Sequence, residues 1–275
     1  MAYTPSVHGR PLRPILRWAG SKRKLIQTLA ANAPPVFERY IEPFCGSACL
    51  FFQLRPANAI LSDRNTTLMD TYRTLRRHPW ILARRVAAFG GPENYYSVRD
   101  TSTDHLGAVE RAARFVFLNR FCFNGVYRTN RSGSFNVPRG INTGKVPSEL
   151  EFYRAASALR AADLRHGDFE TSLEGVRKGD FVYLDPPYGS STRECYGEYG
   201  YDCFGPSDLD RLASCLRRID AAGAKFLLSF RLSSDLLQRV KPFQVQHLEV
   251  RRHVAGFARS RFLAHEVLVR NYDCA

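Results

Sequence analysis

An α/β fold interrupted by a mainly helical insert is what this sequence predicts, and three observations carry the prediction. Strand-like apolar segments alternate with helical spacings at both ends of the chain. A run of mostly small residues, Phe44-Cys45-Gly46-Ser47-Ala48, joins the first strand to an apolar helix. Between Gly107 and Lys145, seven basic residues stand against one acid, Glu110, in a stretch interleaved with Phe and Tyr. The 275 residues, 44% hydrophobic, are enough for a substantial core. Forty Lys and Arg against 26 Asp and Glu leave a net charge of +14, which points to a polyanionic partner, nucleic acid before membrane. No apolar run approaches the roughly 18 residues of a membrane span. The first residues lack an apolar signal core, so a cytoplasmic setting is expected. Seven cysteines without a CxxC pair read as reduced thiols, which sets aside disulfide scaffolds and zinc fingers.

The elements follow in order. RWAGSKRK reads as a loop in a 37-residue opening that holds six basic side chains and no acid. LIQTLAANA has helical spacing and stops before Pro34-Pro35. RYIEP is strand-like, CLFFQL helical, and NAILSD a short buried strand ending on Asp63. Strand, small-residue turn, helix and strand with a terminal acid open a nucleotide-binding α/β unit. TTLMDTYRTLRR, PWILARRVAAF and GAVERAARFVFLNRF are helical, and Asn-Arg-Ser-Gly punctuates a hairpin after them. SELEFYRAASALR resumes the α/β pattern, followed by the strand DFVYL, a capped helix from PSDLDRL, and the strands AKFLLSF and AHEVLVRNY. The expected organisation is one α/β domain built from residues 1–64 and 148–275, with residues 65–147 inserted.

Asp185-Pro186-Pro187-Tyr188 is the most informative tetrapeptide. An apolar strand delivers Asp185 to its C-terminal end, where open α/β sheets place ligands. The prolines fix the backbone and supply no amide donors, leaving carbonyls in need of them. The exocyclic amine of an aromatic base is such a donor, and its lone pair is delocalised into the ring. If the Asp185 carboxylate and the Pro186 carbonyl accept its two N–H bonds, the nitrogen moves towards a nucleophilic, tetrahedral geometry. Tyr188 offers a face for stacking the base. The bland alternative is a buried strand ending at a proline turn.

The ordered set Arg17–Lys22, Glu42–Gly46, Asp63, Asn119–Arg139, Asp168-Phe169 and Asp185–Tyr188 resembles the Dam-type, alpha-group DNA adenine methyltransferases, which use S-adenosylmethionine. The resemblance implies a Rossmann-like methyltransferase fold with a mixed sheet and a target-recognition insert carrying a hairpin. It implies Asp185, Pro186 and Tyr188 as the active centre. It assigns Trp18, Gly20, Lys22, Glu42, Pro43, Phe44, Gly46, Asp63, Asp168, Phe169 and Asp185 to the cofactor. Asp63 would grip ribose hydroxyls, with a helix cap before Asn65 as the bland alternative. RWAGSKRK also fits a solvated basic tail, and Asp168-Phe169 a plain loop. Arg17, Phe123, Asn124, Val126, Arg128, Arg131 and Arg139 are assigned to double-stranded DNA. Phe123 and Asn124 would lie near a flipped base, Val126 and Arg128 would read base edges, and Arg131 and Arg139 would hold phosphates. A solvated basic hairpin is the alternative. Three positions depart from the family pattern: Ala48 in place of a second Gly, Phe123 in place of a frequent Tyr, and Phe230 where Asn often follows Ser229. No metal is expected, because displacement from a sulfonium needs none. The expected protein is a monomer or transient dimer in a bacterial cytosol, or phage-encoded, within or outside a restriction-modification system. Competing readings are cytosine-N4 methylation, an RNA or protein-amide methyltransferase, and a catalytically silent DNA-binding module.

Overall fold

The computed structural model describes residues 11–130, 133–141, 143–187, 204–253 and 261–273. Its strands are β1 (Arg39–Glu42), β2 (Ala59–Asp63), β3 (Ala162–His166), β4 (Asp180–Leu184), β5 (Lys225–Arg231), β6 (Gln244–His253) and β7 (Arg261–Arg270). They form one seven-stranded sheet in the order β3-β2-β1-β4-β5-β7-β6. The first five run parallel, whereas β7 lies antiparallel to both β5 and β6. The sheet is therefore mixed, and the α/β expectation holds. The strand order reverses at β1 and β4, the switch point where such sheets open a crevice at their carboxyl ends.

The helices are α1 (Ile26–Asn32), α2 (Cys49–Leu54), α3 (Thr66–Arg77), α4 (Pro79–Ala88), α5 (Tyr95–Asp100), α6 (Ala108–Phe121), α7 (Glu149–Leu159), α8 (Phe169–Ser172), α9 (Pro206–Ala221) and α10 (Ser234–Arg239). Strand alternation sorts the core into two layers. Tyr40, Leu61, Phe181, Tyr183 and Leu227 face the side covered by α1–α7. Their neighbours Ile41, Ile60, Val182, Leu184 and Leu228 face α8–α10. β1, β2 and β4 are thus apolar on both faces, as buried parallel strands require.

Local chemistry sets the helix ends. The Asn65 side chain caps α3 by accepting from the Leu68 amide at 2.9 Å. Ser148 and Glu151 form a reciprocal capping box at α7. Pro79 and Pro206 occupy first helical positions, where the missing N–H is harmless. α3 is tied to the sheet edge as Arg73 donates to the Leu164 carbonyl at 3.1 Å and Arg76 to that of Ala162 at 2.7 Å. One buried layer runs from Tyr40 and Leu61 through Leu68 and Tyr72 of α3 into Phe117 of α6 and Phe152 of α7. The helices between β2 and β3 therefore share the core of the sheet. The expected hairpin is present as Thr129 bridging Phe135, with the Asn130 amide donating to the Ser134 carbonyl at 2.9 Å. β3, β6, α5, α8 and α10 were not anticipated from the sequence. No described helix is long and apolar enough to cross a membrane.

Candidate active site

A cavity of about 640 Å³ opens at the carboxyl ends of β1, β2 and β4. Asp185 and Pro186 line it directly after β4. Asp185 is fixed from two sides, its Oδ1 accepting from Lys22 Nζ at 2.6 Å and from Ser229 Oγ at 3.0 Å. Lys22 is buried, and it comes from the basic segment far away in sequence. An ammonium with 6% of its side chain exposed requires a partner, and the carboxylate supplies one. Trp18–Lys22 therefore belong to the cavity wall, whereas Arg23 and Lys24 at the end of RWAGSKRK are exposed.

The turn after β1 forms a second wall. Gly46 adopts φ +45°, and a Cβ there would meet Trp18 Cδ1 at 2.7 Å, so only glycine permits the indole to close over this backbone. Asp63 orders the same turn: Oδ2 accepts the Gly46 amide and Oδ1 the Asn65 amide, each at 3.0 Å. Tyr72 donates its hydroxyl to the Gly46 carbonyl at 2.8 Å. Asp63 does not cap α3, because Asn65 does. Gly20, Phe44 and Glu42 also line the cavity, whereas Pro43 is buried and does not. The Tyr40 hydroxyl donates to Glu42 Oε2 at 3.0 Å. Ala48 is wholly buried at φ +51°, which accounts for the glycine usual in the family pattern at this position.

Asp168 and Phe169 lie at the end beyond β3. Asp168 caps the short α8 through the Glu170 amide. Phe44 and Phe169 pack with centroids 5.1 Å apart. Arg211 of α9 covers a face of Phe169, 4.7 Å from its centroid, and bridges Asp168, Glu170 and Asp208. Three carboxylates raise the Arg211 pKa.

The inserted segment meets the cavity at Trp18, which stacks on Tyr127 with centroids 6.1 Å apart. Asn119 clamps the Arg17 backbone, accepting its amide at 2.8 Å and donating to its carbonyl at 2.6 Å. Gly125 adopts φ +70°, and a Cβ there would lie 2.8 Å from Arg17 Cβ. Arg17 in turn donates to the Arg120 carbonyl at 3.0 Å. Phe123 is 42% exposed, and its exposed neighbour Asn124 holds φ +52°. Val126 is half-buried. Arg128 donates Nε to Asn136 Oδ1 at 2.9 Å, which steadies its guanidinium. Arg139 is exposed and donates to the Pro92 carbonyl at 3.2 Å. Tyr188 and Arg131 lie outside the described residues.

Electrostatics reflect burial. Desolvation raises the Asp185 pKa, opposed chiefly by Lys22 and by the Ser229 hydrogen bond. Burial pushes Glu42 well above the carboxylate range and raises Asp63, whose backbone donors oppose the shift. Sequence reasoning assigned no role to Ser229, Tyr127, Asn119, Tyr72 or Arg211. A serine inside an apolar strand was the one local signal among them, because buried hydroxyls require partners. Among the described residues, no group of three or more His, Cys, Asp or Glu side chains is placed to hold a metal ion.

Comparisons with known proteins point to one family. Residues 18–254 match the family model described as D12 class N6 adenine-specific DNA methyltransferase. The chain is 32% identical to Type II methyltransferase M1.LlaDCHI of Lactococcus lactis subsp. cremoris, covering 95% of this chain and 96% of that one. It is 31% identical to Type II methyltransferase M.MjaIII of Methanocaldococcus jannaschii, covering 95% and 99%. It is 33% identical to the DNA N-6-adenine-methyltransferase of Escherichia phage P1, over 93% of this chain and 35% of that larger protein. With a matching model across most of its length and relatives of this similarity, the chain belongs to the D12 class of N6 adenine-specific DNA methyltransferases.

Proposed function

We propose that this chain methylates the N6 amino nitrogen of an adenine turned out of duplex DNA, with Asp185 and Pro186 as the acceptors of its two N–H bonds. The observation that supports this most is the convergence of Asp185, Lys22 and the Gly46–Asp63 turn on one cavity. S-adenosylmethionine fits the donor set: carboxylates at Asp63 and Asp168, aromatic rings at Trp18 and Phe44, and turn backbone at Gly46 share a volume of about 640 Å³. When bound it supplies an electrophilic methyl group on a sulfonium centre.

The protein's own part is positioning and polarisation. Lys22 and Ser229 hold Asp185 Oδ1, and among the described residues Oδ2 accepts no hydrogen bond. Oδ2 and the Pro186 carbonyl would take one N–H each, concentrating the nitrogen lone pair on one side. Tyr188 would stack on the base. Asp63 retains lone pairs on both oxygens for ribose hydroxyls while ordering the turn. Asp168 and Phe169 would close the far end, and Glu42, Gly20 and Trp18 would flank the amino-acid portion. Residues 65–147 with Arg17 would read DNA: Phe123 and Asn124 beside the vacated stack, Val126 and Arg128 at base edges, and Arg17, Arg131 and Arg139 around them. One chain contributes all these groups, in keeping with a monomer or transient dimer.

The test is to express the wild type and Asp185→Ala in methylation-deficient bacterial cells and sequence their DNA with modified-base detection. N6-methyladenine in one sequence context, present for the wild type and absent for Asp185→Ala with DNA binding retained, is the expected result. Methylcytosine, or an unmodified genome, would refute it.

A further inference from the structure

Ser229 stands in a strand whose other central residues are Phe226, Leu227, Leu228 and Phe230, and it is 0% exposed. Alternation along β5 sends Phe226, Leu228 and Phe230 into the α8–α10 layer. Ser229 belongs to the opposite face, with Leu227. The β4–β5 register pairs Leu184 with Leu228, so the next step along both strands brings Asp185 alongside Ser229. A wholly buried hydroxyl without partners would destabilise the fold. This one has two: Ser229 Oγ donates to Asp185 Oδ1 at 3.0 Å and lies 3.0 Å from the hydroxyl of buried Tyr183.

A serine hydroxyl carries one proton. With that proton committed to the carboxylate, Tyr183 is the donor to Ser229 Oγ. The two hydroxyls then form a chain that runs one way, from Tyr183 through Ser229 to Asp185, and each bond polarises the next. Lys22 reaches the same Oδ1 at 2.6 Å. Two donors converge on one oxygen of Asp185, and the opposite oxygen carries no bond from any described residue.

We infer that Ser229, backed by Tyr183, is a positioning residue that pins Asp185 Oδ1 and so turns Oδ2 to the substrate amine. The inference rests on the proposed role of Asp185. The charged groups around that carboxylate are Lys22 from the N-terminal segment, Glu42 from β1 and Glu266 from β7. Glu266 disfavours its ionisation and Lys22 favours it, so removing the Ser229 donor tips the balance towards the neutral acid.

The experiment uses the full chain with a duplex oligonucleotide carrying its target, and compares Ser229→Ala, Ser229→Thr and Tyr183→Phe with the wild type. Ser229→Ala is expected to lower kcat roughly 10-fold, in the range for a hydrogen bond to a charged group. KM for DNA and for S-adenosylmethionine should stay near the wild-type values. The acid limb of the kcat profile should move to higher pH. Ser229→Thr, which keeps the hydroxyl, should restore both, and Tyr183→Phe should shift the limb the same way by less. Wild-type kcat in Ser229→Ala overturns the inference. So does a lowered kcat with an unmoved acid limb, because that is the behaviour of a packing defect. If Ser229→Ala does not fold, an unmoved limb in Tyr183→Phe overturns it equally. A wild-type chain that leaves adenine unmodified refutes the activity itself, which separates the two failures.

Discussion

Gly46 and Ala48 are two residues apart, both at positive φ, and they respond differently to substitution. At Gly46 an added methyl meets Trp18 Cδ1 at 2.7 Å and sits at φ +45°. Gly46→Ala should cost about 1–2 kcal/mol from the left-handed backbone alone. The displaced indole adds a second penalty, read as weakened S-adenosylmethionine binding by calorimetry alongside a lowered melting temperature. Ala48 already bears that strain at φ +51° with its methyl wholly buried. Ala48→Gly relieves about 1–2 kcal/mol of strain. It also loses about 0.8 kcal/mol of buried methyl and gains roughly 0.5–1 kcal/mol of chain-entropy cost. These nearly cancel, so thermal melting should place it within about 1 kcal/mol of the wild type. Asp185 gives a pH prediction. Its folded pKa is raised, and the acceptor role needs the carboxylate, so activity should rise with pH through a value above the ordinary carboxylate range. The sign for stability is opposite: ionising Asp185 costs stability as pH climbs from its unfolded to its folded pKa, and above that window the cost is constant. Lys22→Met removes the nearest cation and should push the acid limb of a methylation pH profile higher still. The residue types around the cavity were legible in the sequence. Their partnerships were not, because Lys22–Asp185 spans 163 positions and exists only through the fold.

Elements were legible where both faces are apolar, and obscure where one face meets water. β1, β2, β4 and β5 read plainly as short apolar runs, and α3 and α9 as periodic helices. β3 (Ala162–His166) and β6 (Gln244–His253) did not, and they are the two edges of the sheet. Edge strands carry charges that blunt further pairing, so their sequences resemble loops. α8 and α10, four and six residues long, are too short for any periodicity to register. The hairpin element carries its own prediction. Asn136 steadies Arg128 twice, its Oδ1 accepting from Nε at 2.9 Å and its carbonyl from Nη2 at 3.4 Å, which leaves Nη1 and the second Nη2 hydrogen for a base edge. Arg139 is exposed, a position suited to phosphate. Arg128→Ala should cost about 1–3 kcal/mol at the target and relax preference at one base position. Arg139→Ala should weaken binding to all sequences alike and reduce the salt slope by about one. Competition binding on a set of single-base target variants separates these outcomes. Equal flattening of specificity by both substitutions would refute the division of labour.

Across the whole molecule the charge is uneven. The net +14 is concentrated in the opening 37 residues, with six bases and no acid, and in Gly107–Lys145, with seven bases and one acid. The fold joins these two stretches, since Asn119 clamps the Arg17 backbone and Trp18 stacks on Tyr127. Elsewhere several described arginines pair with carboxylates of the protein itself, as at Arg39–Asp180, Arg211 with three acids, and Arg239–Asp210. A polyanion is therefore drawn to the side where the N-terminal segment meets the insert, the same side on which the cavity opens. Each phosphate neutralised releases condensed counterions, and the logarithm of the affinity falls with log salt by about 0.9 per contact. With about four contacts, raising salt from about 50 to about 200 mM should weaken duplex binding roughly 100-fold. Asp185→Ala should show the same slope, because the carboxylate engages a base and no phosphate. Fluorescence anisotropy across that salt range measures both proteins. A flat response would place the duplex away from the joined basic segments, and with it the adenine away from Asp185.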